Sequence, residues 1–172
     1  MTYHVLKAGL DGSNNLVAWY HRLVAENVDA VANPPAFATS GGDDIIGWEG
    51  MEPACYDILS VLAEGVRKES GTRVSAWRAI GTGYNKFAAE AFLDEVAQAM
   101  GRDPLSLRIE LTKNHPRANA VIKAAADMSD FAKKRPGHGM GIAFCDYDGT
   151  YTACVAEASV DSQSGKIRVH NL

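Results

Sequence analysis

One short stretch carries most of the chemistry that this sequence suggests: Ala76-Trp77-Arg78-Ala79-Ile80-Gly81-Thr82-Gly83. Its glycines permit a tight turn and let a ligand approach the backbone closely. A helix is expected to follow, and the free amide N–H groups at its start favour an anion such as a phosphate. Arg78 would add a cationic fork. The stretch therefore predicts an anion-binding turn, while a plain strand-to-helix turn with a surface arginine explains the same residues.

Two common nucleotide-binding motifs do not describe this stretch. The GK[ST] element of a P-loop is missing, and so are the GxGxxG spacing and the later ribose-binding acid of a Rossmann fingerprint. A second glycine-rich run, Gly137-His138-Gly139-Met140-Gly141, precedes a predicted strand and not a helix. The sequence therefore argues against a dinucleotide site at either place.

Metal-ligating and nucleophilic side chains are scattered along the chain. The five histidines include no i,i+4 pair and no HExxH motif, so each is interpreted as an ordinary polar residue, and His138 is singled out only for its glycine neighbours. The three cysteines form no CxxC pair and lack zinc-type spacing. In a hairpin with Asp148-Gly149 as its loop, Cys145 stands diagonal to Cys154, too far for a disulfide. We predict three reduced thiols and no metal site.

The first part of the chain, residues 1–77, predicts mainly strands and one long loop. Thr2 to Gly9 and Leu16 to Val24 form a hairpin around Asp11-Gly12-Ser13-Asn14. Residues 30–50 show no helical or strand period, and a loop of that length is usually functional or docks on another segment. Further strands are predicted at 56–59, 61–68 and 73–77.

The middle part, residues 84–130, predicts helices. Between Tyr84 and Met100 apolar residues recur at helical spacing, with Glu90, Asp94 and Gln98 as an opposite polar stripe. Asp103-Pro104 supplies an N-cap and an N1 proline for a short helix to about residue 110. A third helix is predicted from residue 116 to 128.

The last part, residues 137–172, predicts antiparallel strands. Met140 to Tyr147 and Thr150 to Val160 flank Asp148-Gly149, which is one of the strongest short hairpin signals. A turn at 161–165 leads to a final strand, Lys166 to Leu172. The order of strands, helices and strands predicts an α+β fold.

Composition excludes two broad classes of function. The net charge is −4 and no basic cluster stands out among the 172 residues, which argues against nucleic-acid binding. No run approaches the 18 apolar residues of a membrane span.

The Ala76–Gly81 stretch, the helix after it and Gly101-Arg102-Asp103-Pro104-Leu105 together resemble a segment of the large subunits of xanthine-oxidase-type molybdenum hydroxylases. Within that family, Trp77, Asn114-His115-Pro116-Arg117 and the 137–141 glycine run favour a resemblance to the isoquinoline 1-oxidoreductase beta subunits. The resemblance covers most of the chain and is weakest between residues 29 and 51. It implies a partial molybdopterin-binding domain over residues 1–172.

The resemblance implies a specific chemistry for the longer protein. Such enzymes hydroxylate N-heteroaromatic compounds or aldehydes with oxygen from water, using a molybdenum–oxo group and a glutamate base. Electrons leave through a small two-cluster iron–sulfur subunit. By position, Arg78, Ala79 and Gly81 are implied to contact molybdopterin, and Ile80 to line the substrate pocket. The compartment stays open between bacterial cytoplasm and periplasm.

Several family parts are expected to lie outside this chain. The catalytic glutamate belongs to a Gly-Glu motif further along the family sequence, and neither Glu49-Gly50 nor Glu64-Gly65 reproduces it. The helix acids, Glu90 among them, are interpreted as solvated or structural. The chain by itself is therefore expected to be inactive and to retain no cofactor. Its other partners would be the remaining segments of the large subunit, and the edge of its last strand would favour self-association.

The residues are also consistent with a function that involves no redox chemistry. In it the chain is an anion- or phosphate-binding module that uses the helix start at residues 81–85.

Overall fold

The structure, a computed structural model, describes residues 1–133 and 135–172. The elements, in chain order, are β1(Thr2–Leu10), β2(Leu16–Ala25), α1(Asp29–Ala32), α2(Pro34–Thr39), α3(Ile45–Trp48), β3(Ser60–Arg67), α4(Ile80–Ala99), α5(Pro104–Leu111), α6(Pro116–Met128), β4(Gly139–Tyr147), β5(Thr150–Val160) and β6(Ile167–Asn171). This mixture confirms the predicted α+β class. Among the described residues, no helix is both long and apolar enough to cross a membrane.

The chain divides into two compact units. Unit 1 comprises Met1–Ala54 and Ile58–Val96, and unit 2 comprises Cys55–Asp57 and Ala97–Leu172. Each unit holds one three-stranded sheet, with the strand order β1-β2-β3 in unit 1 and β4-β5-β6 in unit 2.

The predicted N-terminal hairpin is confirmed in unit 1. β1 and β2 pair antiparallel, and the Asp11 carboxylate closes the turn by accepting hydrogen bonds from the backbone N–H groups of Ser13 and Asn15. Alternate residues of β2 are buried, among them Trp19 and Leu23. They form one side of the sheet because successive side chains of a strand point to opposite faces.

The position of the third strand of unit 1 was predicted, but the strand with which it pairs was not. β3 confirms the strand expected at 61–68, and it pairs parallel with β2, from Ala18 beside Ser60 to Ala25 beside Arg67. The strands predicted at 56–59 and 73–77 were wrong. The Asp57 N–H donates to the Leu111 carbonyl at the end of α5 and not to a strand. Residues 73–77 bury almost no side chain that could hold a strand in a sheet.

The segment predicted to lack regular structure, residues 30–50, contains the three short helices α1, α2 and α3. Helices of four to six residues are too short to show an apolar period. Local caps hold them instead: the Asn33 side chain accepts from the Ala36 N–H, and the Asp44 side chain accepts from the Gly47 N–H.

The long helix starts earlier than predicted. α4 begins at Ile80, so Gly81 and Gly83 lie inside its first turn and not before it. The predicted polar stripe is also partly wrong, because Glu90 is buried, with 6% of its surface exposed. Hydrophobic periodicity begins only after the glycines, which is why it missed the first turn.

The helices of unit 2 follow their local signals closely. Asp103 caps α5 by accepting from the Ser106 N–H at 2.8 Å, and Pro104 is the first helical residue. α6 runs from Pro116 to Met128, as predicted. Its buried residues Ala118, Ile122 and Ala126 pack in the core of unit 2.

The sheet of unit 2 confirms the predicted hairpin and its register. Asp148 and Gly149 both have positive φ, 47° and 73°, as a type I′ turn requires. Cys145 lies opposite Thr152, and Cys154 lies opposite Ala143. Ile142, Phe144 and Val155 turn one face of the sheet toward α6; those three residues and Cys55 belong to the same apolar core.

Candidate functional site

The stretch with the strongest chemical signal forms a tight turn directly before α4. The Ile80 N–H donates to the Trp77 carbonyl at 3.0 Å, which closes the turn. Trp77 is 86% exposed and the Arg78 side chain is exposed. Within the described part of the chain the Arg78 guanidinium has no hydrogen bond or ion pair. The turn therefore exposes the Trp77 ring and the Arg78 guanidinium to solvent.

The backbone of this turn adopts a rare conformation. Ala79 and Ile80 have φ values of 67° and 34°, in the left-handed region that L-residues avoid. For a β-branched residue such as Ile80 this is a true outlier, and such positions cost about 1–3 kcal/mol each. Sequence patterns give no warning of it, because glycine is the residue that signals positive φ and neither position is glycine.

Gly81 has a packing role in unit 1. A Cβ atom added to it would lie 2.4 Å from the Gly47 carbonyl oxygen and 2.6 Å from that of Ile46. The start of α4 thus rests directly on the backbone of α3. The prediction that Gly81 contacts a cofactor remains a prediction, and this close packing is a sufficient reason for glycine here.

The next residues of α4 hold the segment after α3 in place. The Tyr84 hydroxyl donates to the Gly47 carbonyl at 2.9 Å, and the Asn85 side-chain amide donates to the carbonyls of Gly47 and Glu49 at 3.1 and 2.8 Å. Lys86 Nζ donates to the Glu52 carbonyl at 3.3 Å. Burial, with a smaller contribution from Asp44, raises the pKa of Tyr84 to about 12.

A fully buried carboxylate organises the short helices. Asp44 accepts hydrogen bonds from the backbone N–H groups of Val28, Asp29 and Gly47, at 2.8, 3.1 and 3.2 Å. The Asp29 side chain in turn accepts from the Ile46 N–H. Three backbone N–H donors satisfy the hydrogen-bonding capacity of this buried side chain. These acids therefore serve the fold of the 28–47 segment.

Two histidines that the sequence left separate form a pair in unit 1. His4 Nδ1 lies 2.9 Å from His21 Nε2, and His21 Nδ1 lies 3.1 Å from the Met51 carbonyl. Because a carbonyl only accepts, His21 carries its proton on Nδ1 when neutral, and His4 donates to its free Nε2. Burial lowers the pKa of His21 to about 4, and it also lowers that of His4. Their partnership follows from strand register, since His4 pairs with Leu23, two residues from His21 on the same face.

A second polar cluster lies on the sheet of unit 2. Glu157 is buried and accepts hydrogen bonds from His138 Nδ1 at 2.5 Å and Asn171 Nδ2 at 2.7 Å, with Arg135 Nε at 3.5 Å. The His138 hydrogen bond and then that of Asn171 lower the pKa of Glu157. The His138 ring stacks on that of His170, with the ring centres 4.1 Å apart. His138, singled out for its glycine neighbours, is thus the partner of a buried acid.

Metal ligands do not converge in the part of the chain that is described. Across residues 1–133 and 135–172, no group of three or more His, Cys, Asp or Glu side chains is arranged to hold a metal ion. The stacked rings of His138 and His170 illustrate why: their lone pairs lie in nearly parallel planes, so they do not aim at one point.

The four predicted site residues are contiguous in the structure but differ in setting. Arg78 is exposed, Ala79 and Ile80 are half-buried, and Gly81 is buried against α3. The residues that the rival anion-site prediction needs are mostly enclosed, since Thr82 and Asn85 are 2% and 0% exposed. The helix start itself lies at Ile80 and not at residues 81–85.

The chain is similar in sequence to subunits of two oxidoreductases. It is 26% identical over 166 residues to the beta subunit of an isoquinoline 1-oxidoreductase of Brevundimonas diminuta, covering 94% of this chain and 21% of that protein. It is 30% identical over 115 residues to one subunit of a nicotinate dehydrogenase of Pseudomonas putida, covering 56% of this chain and 10% of that protein. No family model matches the chain.

A solved structure has the same fold. The crystal structure of quinoline 2-oxidoreductase from Pseudomonas putida 86 superposes with a TM-score of 0.61 at 16% identity, covering 99% of this chain and 26% of that chain. The chain thus spans about a fifth of the isoquinoline 1-oxidoreductase protein and about a quarter of the solved chain. The sequence similarity confirms the predicted resemblance to an isoquinoline 1-oxidoreductase beta subunit.

Proposed function

We propose that this chain is part of the large subunit of a molybdenum-dependent oxidoreductase that hydroxylates an N-heteroaromatic or aldehyde substrate with oxygen from water. The observation that carries the proposal is the similarity over 94% of the chain to an isoquinoline 1-oxidoreductase subunit. The names of all three relatives refer to N-heteroaromatic compounds, which favours that substrate class over aldehydes.

The residues before α4 fit a role beside molybdopterin. Arg78 has no partner among the described residues, so its guanidinium is available to an anionic group such as a phosphate. The left-handed turn at Ala79 and Ile80 fixes the direction in which Arg78 and Trp77 leave the backbone. A strained turn of this kind is typical of sites that must hold a ligand group in one orientation.

Each residue has a limited task in this proposal. The bound cofactor would supply the hydroxylating and electron-accepting chemistry. Arg78 would hold an anionic part of the cofactor, the half-buried Ala79 would contact it through the backbone, and Ile80 would contribute an aliphatic wall to the substrate pocket. Gly81 would bring α4 onto α3 and so keep the turn in position. The base that takes the substrate proton, the small iron–sulfur subunit and the rest of the large subunit would complete the enzyme.

The anion-binding alternative has less support. It needs exposed N–H groups at residues 81–85, whereas Gly81, Thr82 and Asn85 are buried. The Asn85 amide already donates to two carbonyls.

The test is Arg78→Ala in the full-length subunit, with Arg78→Lys and Arg73→Ala as companions. Arg73 is an exposed arginine five residues earlier. A charge-assisted hydrogen bond contributes about 1.5–3 kcal/mol, so Arg78→Ala should lower cofactor affinity about ten-fold or more. Molybdenum content by elemental analysis and turnover of quinoline-type substrates are the measurements.

We expect Arg73→Ala to behave like the wild type and Arg78→Lys to recover part of the molybdenum content. Wild-type molybdenum content and turnover in Arg78→Ala would refute the role of Arg78. A full-length wild-type protein that binds no molybdenum would refute the proposed function itself.

A further inference from the structure

The sheet of unit 2 has one face that no described helix or strand of unit 2 covers. Its inner face packs on α6 through Ile142, Phe144 and Val155. Side chains alternate along a strand, so the residues between these point the opposite way. We call the opposite side of β4, β5 and β6 the outer face; among its members are Gly141, Ala143, Cys154, Ala156, Val160 and Val169.

The outer face carries no charge. None of the residues that β4, β5 and β6 place on it is Asp, Glu, Lys or Arg, and the three strands lie wholly within the described residues. Toward β6 it becomes strongly apolar, with Val160, Ile167 and Val169 exposed by 62%, 72% and 56%. On β4 its positions are Gly139, Gly141, Ala143, Cys145 and Tyr147, and the small size of the first three allows another layer to approach the backbone closely.

The sheet of unit 1 shows how the same chain builds a sheet face that suits water. On its open side Lys7 lies beside Tyr20, and Arg22 lies beside Glu64. The Tyr20 hydroxyl donates to the Glu64 carboxylate at 2.5 Å. Charged side chains are a common means of keeping the open face of a sheet solvated. The described residues of the outer face include no charged side chain, which indicates that this face contacts protein and not water.

We propose that the outer face of β4, β5 and β6 docks on an uncharged, apolar layer contributed by the rest of the same polypeptide. This inference rests on the proposed function in one respect: it takes the chain to be part of a longer large subunit. The solved relative aligns with 99% of this chain but has about three quarters of its own length outside the alignment. A layer of that remainder is therefore the occupant that the comparison supports, in preference to a second copy of this chain.

Cys154, on the central strand of the outer face, can report whether solvent reaches that face. Cys154 is exposed in this chain, whereas Cys55 is buried in the core of unit 2. The experiment is thiol labelling of the full-length subunit with a maleimide, with the rate at each cysteine read by peptide mass spectrometry. The reference for each site is its rate in the denatured protein. Lys123→Cys on α6 is the control, because Lys123 is exposed and lysines are almost never fully buried.

We expect Cys154 to be labelled at least about 100-fold more slowly in the native subunit than in the denatured one, as a thiol under a packed layer is. The cysteine at position 123 should be labelled within about ten-fold of its denatured rate. Rapid labelling of native Cys154 would overturn the proposal. Protection that disappears on dilution would also overturn it, because it would identify a second copy as the cover. Labelling does not depend on molybdenum, so a protected Cys154 in a molybdenum-free protein would refute the proposed function alone.

Discussion

Replacing Gly81 by alanine tests the packing of α4 on α3 at its closest point. The new Cβ would lie 2.4 Å from the Gly47 carbonyl oxygen, where an ordinary contact is well above 3 Å, so α3 must move by nearly 1 Å. The Gly47 carbonyl also accepts the hydrogen bonds of Tyr84 and Asn85. Each bond is worth about 1 kcal/mol and overpacking costs about 1–3 kcal/mol. After a gain of up to about 1 kcal/mol from helix propensity, we expect a net loss of about 2–3 kcal/mol.

The matched control is Gly83→Ala, two residues further along the same turn. Nothing lies within 4 Å of a Cβ built on Gly83. Alanine there should leave stability unchanged or raise it by up to about 1 kcal/mol, because alanine loses less backbone entropy than glycine in a helix. The two variants should therefore differ by about 3 kcal/mol in their free energy of unfolding.

Urea denaturation followed by circular dichroism and tryptophan fluorescence measures this difference by linear extrapolation. If Gly81→Ala proves as stable as Gly83→Ala, α3 does not rest on Gly81, and the packing explanation is wrong. The glycine would then need a different reason, and close approach of a cofactor would be the leading one.

Three further predictions concern stability and thiols. The pKa of His21 is about 4 in the folded chain against 6.5 in the unfolded chain, so the unfolded state takes up the proton first as the pH falls. The free energy of unfolding should therefore be highest above pH 6.5 and fall by at most about 3 kcal/mol as the pH drops to 4. His21→Gln should flatten the dependence of the urea midpoint on pH across that range, and an unchanged dependence would contradict the assignment. Asp103→Ala should remove the cap of α5 and cost about 1 kcal/mol in urea denaturation, whereas no loss would mean that the cap is not formed. Thiol titration in denaturant without reductant should find three free thiols, from Cys55, Cys145 and Cys154; a count of one would refute the hairpin register.

The elements that sequence predicted well have strong local signals. Asp103-Pro104 fixed the start of α5, and Asp148-Gly149 fixed both the loop and the register of the β4–β5 hairpin. In each case a few adjacent residues determine the backbone conformation. The predicted boundaries there lie within one or two residues of the observed ones.

The elements that sequence missed depend on distant contacts. Nothing local indicates that β3 pairs parallel with β2, or that Glu90 is buried within a stripe of polar residues. Asp44 also joins the two ends of the 28–47 segment, because it accepts hydrogen bonds from the N–H groups of both Val28 and Gly47. The candidate site was predicted from a local motif and stays a prediction, while the positive φ of Ile80 could not be predicted from an isoleucine.

The parallel pairing of β2 with β3 sets a kinetic condition on unit 1. Every rung of that pairing joins residues 42 positions apart, as Ala18 with Ser60 and Ala25 with Arg67 do. The rungs of the β4–β5 hairpin begin only three residues apart, at Tyr147 and Thr150. Closing the long loop costs chain entropy before any of its contacts can form, so topologies of this kind fold slowly. During refolding, we expect the β4–β5 hairpin to form before β3 pairs with β2. Until β3 pairs, the edge of β2 has unpaired backbone groups and is a site at which aggregation can start.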